Sequence, residues 1–495
     1  MKVPNHNLFD LIHSMSAAEK RYFRRHYASE KNLTTFLFDF INRQESYDEH
    51  KVHDHFRKTK LSKNLKVYKV QLGDILLKSL VSYHYKKSVK SKIRQGLEEL
   101  DILIDKQLYG LARTRVQKLR KLAEDSSIPE YQLLVIQTDL YIQTVFADQF
   151  SRSKIPQLES ASEVIQSLRD LNILRRLNYE ISDLYNAHNV GESKQAYINR
   201  ARDLMKHALF SKKHTEPFHQ FYSNGSKAIY HKLVETDPEK EYEYKKANVD
   251  LFIHNPNLIQ HSPGTYFAAF YNYLVCCRAQ GRKKELHEGL TKIKDLFKTY
   301  PALRRHRLYI YYLETKEAFL RKDYAFIITN LQEQAVTHIK KHKQQKDNIT
   351  ALMYTYFILS HLARKDYSKV HRDLRFVFNE RKSWKKNYLR MFDLLEVISH
   401  VESADYQMAL TLIKSHQKRM KNHKGSDLGF FDHLMAGLYK FIRAEEDQKS
   451  KILEEVISNW SPFAQDGLYM LSSEFFLEDW KTALQKNISL SKQLS

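Results

Sequence analysis

From about Ser62 to Tyr83, the apolar residues Leu65, Tyr68, Leu72, Ile75, Leu76 and Leu80 recur at three- and four-residue spacing. That spacing lays one apolar stripe along a helix, because side chains three and four apart share a face. Comparable spacing runs through much of the chain, and the strict alternation of a strand is nowhere sustained. Helix punctuation accompanies it. Ser16-Ala17-Ala18-Glu19 and Ser46-Tyr47-Asp48-Glu49 have the form of capping boxes, in which a serine oxygen and a glutamate satisfy two free amides of a first turn. Pro129, Pro263 and Pro301 each precede an apolar-periodic run, where proline sacrifices no helical hydrogen bond. The pattern predicts an all-α protein.

A second level of order is a repeat. In Lys106-Gln107-Leu108-Tyr109-Gly110-Leu111-Ala112 a short turn leads to Tyr109 and Ala112, followed by Val116 and Leu119. The same grammar recurs at Arg321-Lys322-Asp323-Tyr324, at Arg364-Lys365-Asp366-Tyr367 and at Ala404-Asp405-Tyr406. It recurs without the tyrosine at Gly281-Arg282-Lys283. Equivalent positions are Gln107, Glu192, Asp237, Gly281, Lys322, Lys365, Ala404 and Asp447. They step by roughly 40 residues, with one double step that leaves a degraded unit near residue 149 and a loop over Phe150–Pro156. One helical hairpin cannot bury both its faces; stacking on neighbours lets it.

Tyr109/Ala112/Val116/Leu119 and Tyr406/Ala409/Ile413 resemble the middle of a tetratricopeptide repeat, although the closing proline of that family is mostly missing. The resemblance implies an α-solenoid of stacked helical hairpins over residues 91–495 and a binding scaffold without shared catalytic residues. Residues 1–90 fall outside the repeat and are expected to form a separate helical module. Glu19-Lys20-Arg21-Tyr22-Phe23 and Asp74–Leu80 resemble the opening of an uncharacterised bacterial helical family, which brings no activity with it.

Composition narrows the class. With 12 glycines and 9 prolines in 495 residues, and with 31 tyrosines and 27 phenylalanines, the chain is neither collagenous nor disordered. The two cysteines, Cys276 and Cys277, are adjacent and cannot build a disulfide framework; they read as buried apolar side chains or, alternatively, as a vicinal thiol pair. No apolar run reaches the ~18 residues of a spanning helix. Met1–His6 lacks the apolar core of a secretory signal. A cytoplasmic protein with no membrane anchor is expected.

The formal net charge is +23. Residues 1–90 hold 18 basic and 9 acidic side chains, whereas 425–495, expected to be an acidic cap, hold 7 and 11. The basic excess favours an acidic partner. Its densest runs name candidate binding residues: Arg304, Arg305 and Arg307; Lys340 and Lys341; and Lys385 and Lys386 beside Trp384. His50, His53 and His55, and also His338 and His342, have metal-like spacing, but no thiolate is near and lysines crowd the second pair. Phosphate-loop, zincin and nucleophile-elbow motifs are missing. The expectation is therefore a non-catalytic scaffold without cofactor or metal that binds a protein or peptide. The alternative is a nucleic-acid-binding or regulatory protein that uses its basic surface.

Overall fold

The computed structural model describes residues 7–494 apart from 28–32, 46, 58–60, 86–88, 127, 147–153, 189–193, 342–347, 380–385, 422–428, 459, 461–471, 473–474 and 486–489. Among the described residues the regular structure is helical throughout, and no strand occurs. By contacts the chain divides into residues 1–171 and 172–495.

In the first unit α1 (Asn7–Ser14), α2 (Ala17–His26), α3 (Leu33–Arg43), α4 (Glu49–Phe56) and α5 (Leu61–His84) enclose one core around Ile12, Phe23, Phe38, Val52, Leu72 and Leu76. The capping box forms at the start of α2: Ser16 accepts the Glu19 amide, and Glu19 accepts the Ser16 amide at 2.6 Å. At α4 the expected serine cap is replaced. Asp48, two residues nearer the first turn, accepts the Lys51 amide at 3.1 Å, while Ser46 lies outside the described residues. The predicted stripe on α5 faces inward, with Leu65, Leu72 and Leu76 buried. A second core joins α6 (Val89–Asp105), α7 (Tyr109–Asp125) and α8 (Pro129–Val145), where the repeat positions Ala112, Val116 and Leu119 are buried. Next comes α9 (Ile155–His188), within which the contact boundary falls. Its first turn includes Ile155 and Pro156, so that end of the expected loop is helical; residues 150–153 lie outside the described residues.

The second unit continues through α10 (Lys194–Met205), α11 (Pro217–Tyr230), α12 (Pro238–His254), α13 (Pro256–His261), α14 (Pro263–Ala279), α15 (Lys283–Thr299) and α16 (Arg307–Leu320). A short α17 (Tyr324–Phe326) runs through one π-helical turn into α18 (Gln332–Lys341). Then follow α19 (Asn348–Ala363), α20 (Tyr367–Asn379), α21 (Lys386–Glu402), α22 (Tyr406–Lys421), α23 (Gly429–Arg443) and α24 (Glu446–Ser458). The last described helices are α25 (Leu477–Gln485) and α26 (Leu490–Leu494).

The recurrent turn has one geometry. Gln107, Gly281, Lys322, Lys365 and Ala404 all sit in the left-handed region, with φ between 57° and 68°. In each, the following amide reaches back five residues to a helix carbonyl: Leu108 to Leu103, Arg282 to Cys277, Asp323 to Ala318, Asp366 to His361 and Asp405 to His400, all at 2.8–2.9 Å. This closing motif satisfies carbonyls that a helix end would leave orphaned. The aspartate after the turn then starts the next helix. Asp323 accepts the Phe326 amide, and Asp405 the Met408 amide. Thr236 is left-handed beside the expected Asp237. Glu192 lies outside the described residues, and Asp447 lies inside the first turn of α24 without such a turn. Each hairpin's two helices pack together, and α14, α16, α19, α21 and α23 each contact the next of that set.

Candidate functional site

Helix α19 is the most enclosed element of the second unit. Every residue from Met353 to Ala363 is buried, so the helix is enclosed all round and not on one stripe. α20 covers one side, α16 and α21 flank it, and α26, from the end of the chain, covers another. Phe475, Phe476, Trp480, Leu490 and Leu494 are all buried in the same core. The Phe475 and Tyr356 rings meet at 5.1 Å between centroids.

The polar contacts of α26 fix its direction. At its first residue the Leu490 amide donates to Glu402 Oε1 at 2.7 Å. At its other end the Tyr324 hydroxyl donates to the Leu494 carbonyl at 2.7 Å, and Lys322 Nζ approaches the Gln493 carbonyl at 3.5 Å. Thus a helix of five residues has groups at both ends satisfied by side chains of other elements. Tyr324 and Tyr367 occupy the same repeat position. Tyr367 donates to the carbonyl of Glu402, the last residue of the next hairpin's first helix, at 3.2 Å. Tyr324 donates instead to a residue 170 positions away. Burial, with the Asp479 carboxylate nearby, pushes the Tyr324 phenol up to about 12, so it remains a donor at neutral pH.

Two polar groups lie among α18–α22. Gln332 donates to Asp373 Oδ2 at 2.6 Å, and its carbonyl oxygen lies 3.0 Å from His361 Nε2. Arg372 pairs with Asp373 at 2.9 Å. Burial pushes His361 down to about 4, against the raising effect of Asp366, and raises Asp373. Farther along, Asp393 and Glu396 on α21 and His416 on α22 bring their ligand atoms within 4.8 Å of one another. Among the described residues this is the group whose spacing and donor set suit a divalent cation.

The basic candidates behave differently from one another. Arg304 and Arg305 are exposed, but Arg304 donates to the Phe297 carbonyl at 3.1 Å and Arg307 lies 5.6 Å from the Phe297 ring. Two of the three arginines thus engage the end of α15, as cations at helix C-termini do. Lys340 is exposed near the end of α18. Lys341 and Lys386 lie in helices whose side chains at those positions are outside the description, as is Lys385 altogether. In the histidine run, Glu49 pairs with Lys69 at 2.6 Å and with His53 at 3.2 Å, His55 stacks on Phe40, and His50 is exposed. Cys276 and Cys277 are buried, and burial pushes the Cys276 thiol up to about 11.

Sequence reasoning missed the face under α26. Its signal was present as Leu490 and Leu494 at i, i+4 and Trp480 and Ala483 at i, i+3, in a region read only for its charge. No described helix is long and apolar enough to cross a membrane. Compared with known proteins, the chain matches no family model, no curated protein and no solved structure.

Proposed function

We propose that this protein is a non-catalytic, cytoplasmic interaction scaffold whose hairpins stack one on the next as a tetratricopeptide-like solenoid and which binds a helical segment of a protein partner. The observation that supports it most is the seating of α26: it packs on α19, and side chains from the turn after α16 and the end of α21 meet its two ends. Peptide-binding helical repeats use such faces because rigid hairpins present many side chains in fixed register. The repeated closing turns keep that register.

Cross-linking of the full chain in native extract, read by mass spectrometry, tests this. The reading expects one protein in stoichiometric amount, cross-linked to residues of α16–α21. Cross-links only to nucleic acid, or none to this face, would overturn it.

A further inference from the structure

The segment that ends in α26 is seated as a ligand is seated. Its helices have nine and five residues, well below the ~12–15 that an isolated helix needs to persist in water. They therefore take their form from what they pack against, α25 from α24 and α26 from α19. Leu490 and Leu494, one helical turn apart, are buried at 0% and 2% exposure. A carboxylate, Glu402, meets the leading amide; a phenol and an ammonium, Tyr324 and Lys322, meet the closing carbonyls. The distance between those two sets of groups selects one short helical turn in one polarity. Tyr324 shows the substitution most clearly, since its repeat equivalent Tyr367 serves a neighbouring hairpin.

We propose that α26 is a resident intramolecular ligand, and that the face it covers recognises a partner helix with aliphatic residues at i and i+4 whose leading amide is free for Glu402. This deepens the scaffold reading and rests on it: the site is closed by the chain itself and opens when the segment leaves. A tethered segment competes at high effective concentration, so a free peptide sees only the open fraction.

A fluorescein-labelled peptide of the sequence Lys486–Ser495 is titrated into the full chain and into its Leu490→Asp/Leu494→Asp variant, with fluorescence anisotropy as readout. Aspartates cannot remain in the apolar floor without a partner, so the variant frees the face. At least tenfold tighter peptide binding to the variant is expected, and adding Glu402→Lys should weaken that binding at least tenfold. Equal affinity of wild type and folded variant, or indifference to Glu402→Lys, overturns the proposal.

Hydrogen exchange of the wild-type chain decides the matter if the variant does not fold. Amides of Leu490–Leu494 should exchange through an opening that leaves α19 and α21 protected. Exchange only with global unfolding makes α26 part of the permanent core and overturns the proposal. Failure here, with a protein still cross-linked to residues of α16–α21, would leave the scaffold reading standing. Peptide binding without any cross-linked partner would do the reverse.

Discussion

The Glu402 carboxylate accepts the Leu490 amide at 2.7 Å, across 88 positions of sequence. The backbone carbonyl of the same residue accepts the Tyr367 hydroxyl. Glu402 thus ties a repeat turn, the end of α21 and the last described helix into one junction.

Tyr324→Phe and Tyr367→Phe remove chemically identical hydroxyls from equivalent repeat positions. Each is expected to cost about 1 kcal/mol, the usual net worth of one hydrogen bond. Only Tyr324→Phe should raise hydrogen exchange at Leu490–Leu494. Equal effects of the two variants on that segment would show that Tyr324 does not hold it.

His361 gives a pH dependence with a definite sign. Folded, it titrates near 4; unfolded, near the ordinary 6.5. Between those values the unfolded chain binds the proton that the folded chain refuses, so stability is full above pH 6.5 and falls as pH drops toward 4. The loss is on the order of 3 kcal/mol. Asp373, raised by burial, takes up a proton on folding and offsets part of it at the acid end. Urea titrations at pH 7.5 and pH 5 should show the loss, and His361→Gln should flatten it. An unchanged slope in the variant would assign it to other groups.

The left-handed turn residues store modest strain. At Lys365, φ 57° costs an L-residue about 1 kcal/mol, which glycine relieves in part against its greater freedom when unfolded. Lys365→Gly should therefore stabilise by about 0.5 kcal/mol. Gly281→Ala, at φ 68° with nothing within 4 Å of the new methyl, should destabilise by about 1 kcal/mol. Thermal melts of both read the sign directly.

Close helix approach is tested at another glycine. A Cβ on Gly289 would stand 2.4 Å from Leu274 Cδ2, on the facing helix of the same hairpin. Gly289→Ala should cost about 1–3 kcal/mol by overpacking. Gly73→Ala on α5 meets nothing within 4 Å and should gain about 0.5–1 kcal/mol from helix propensity. Denaturant midpoints that move in the same direction for both would contradict this assignment.

The sequence by itself determined the helical class and the places of the turns at Gln107, Gly281, Lys322, Lys365 and Ala404, because both are local. The stripe Leu65–Leu80 needs only a 3.6-residue period to become α5, and the aspartate of Arg-Lys-Asp-Tyr caps the helix that follows it. Long-range decisions were beyond it. The basic runs looked alike in sequence, yet Arg304 and Arg307 engage the end of α15 while Lys340 stays exposed. Tyr324 and Tyr367 have the same local code, and only the fold decides that one meets Leu494 and the other Glu402. The physical reason is that a hydrogen bond across 170 residues is selected by which apolar faces remain uncovered once the hairpins have packed, a property of the assembled surface and of no local pattern.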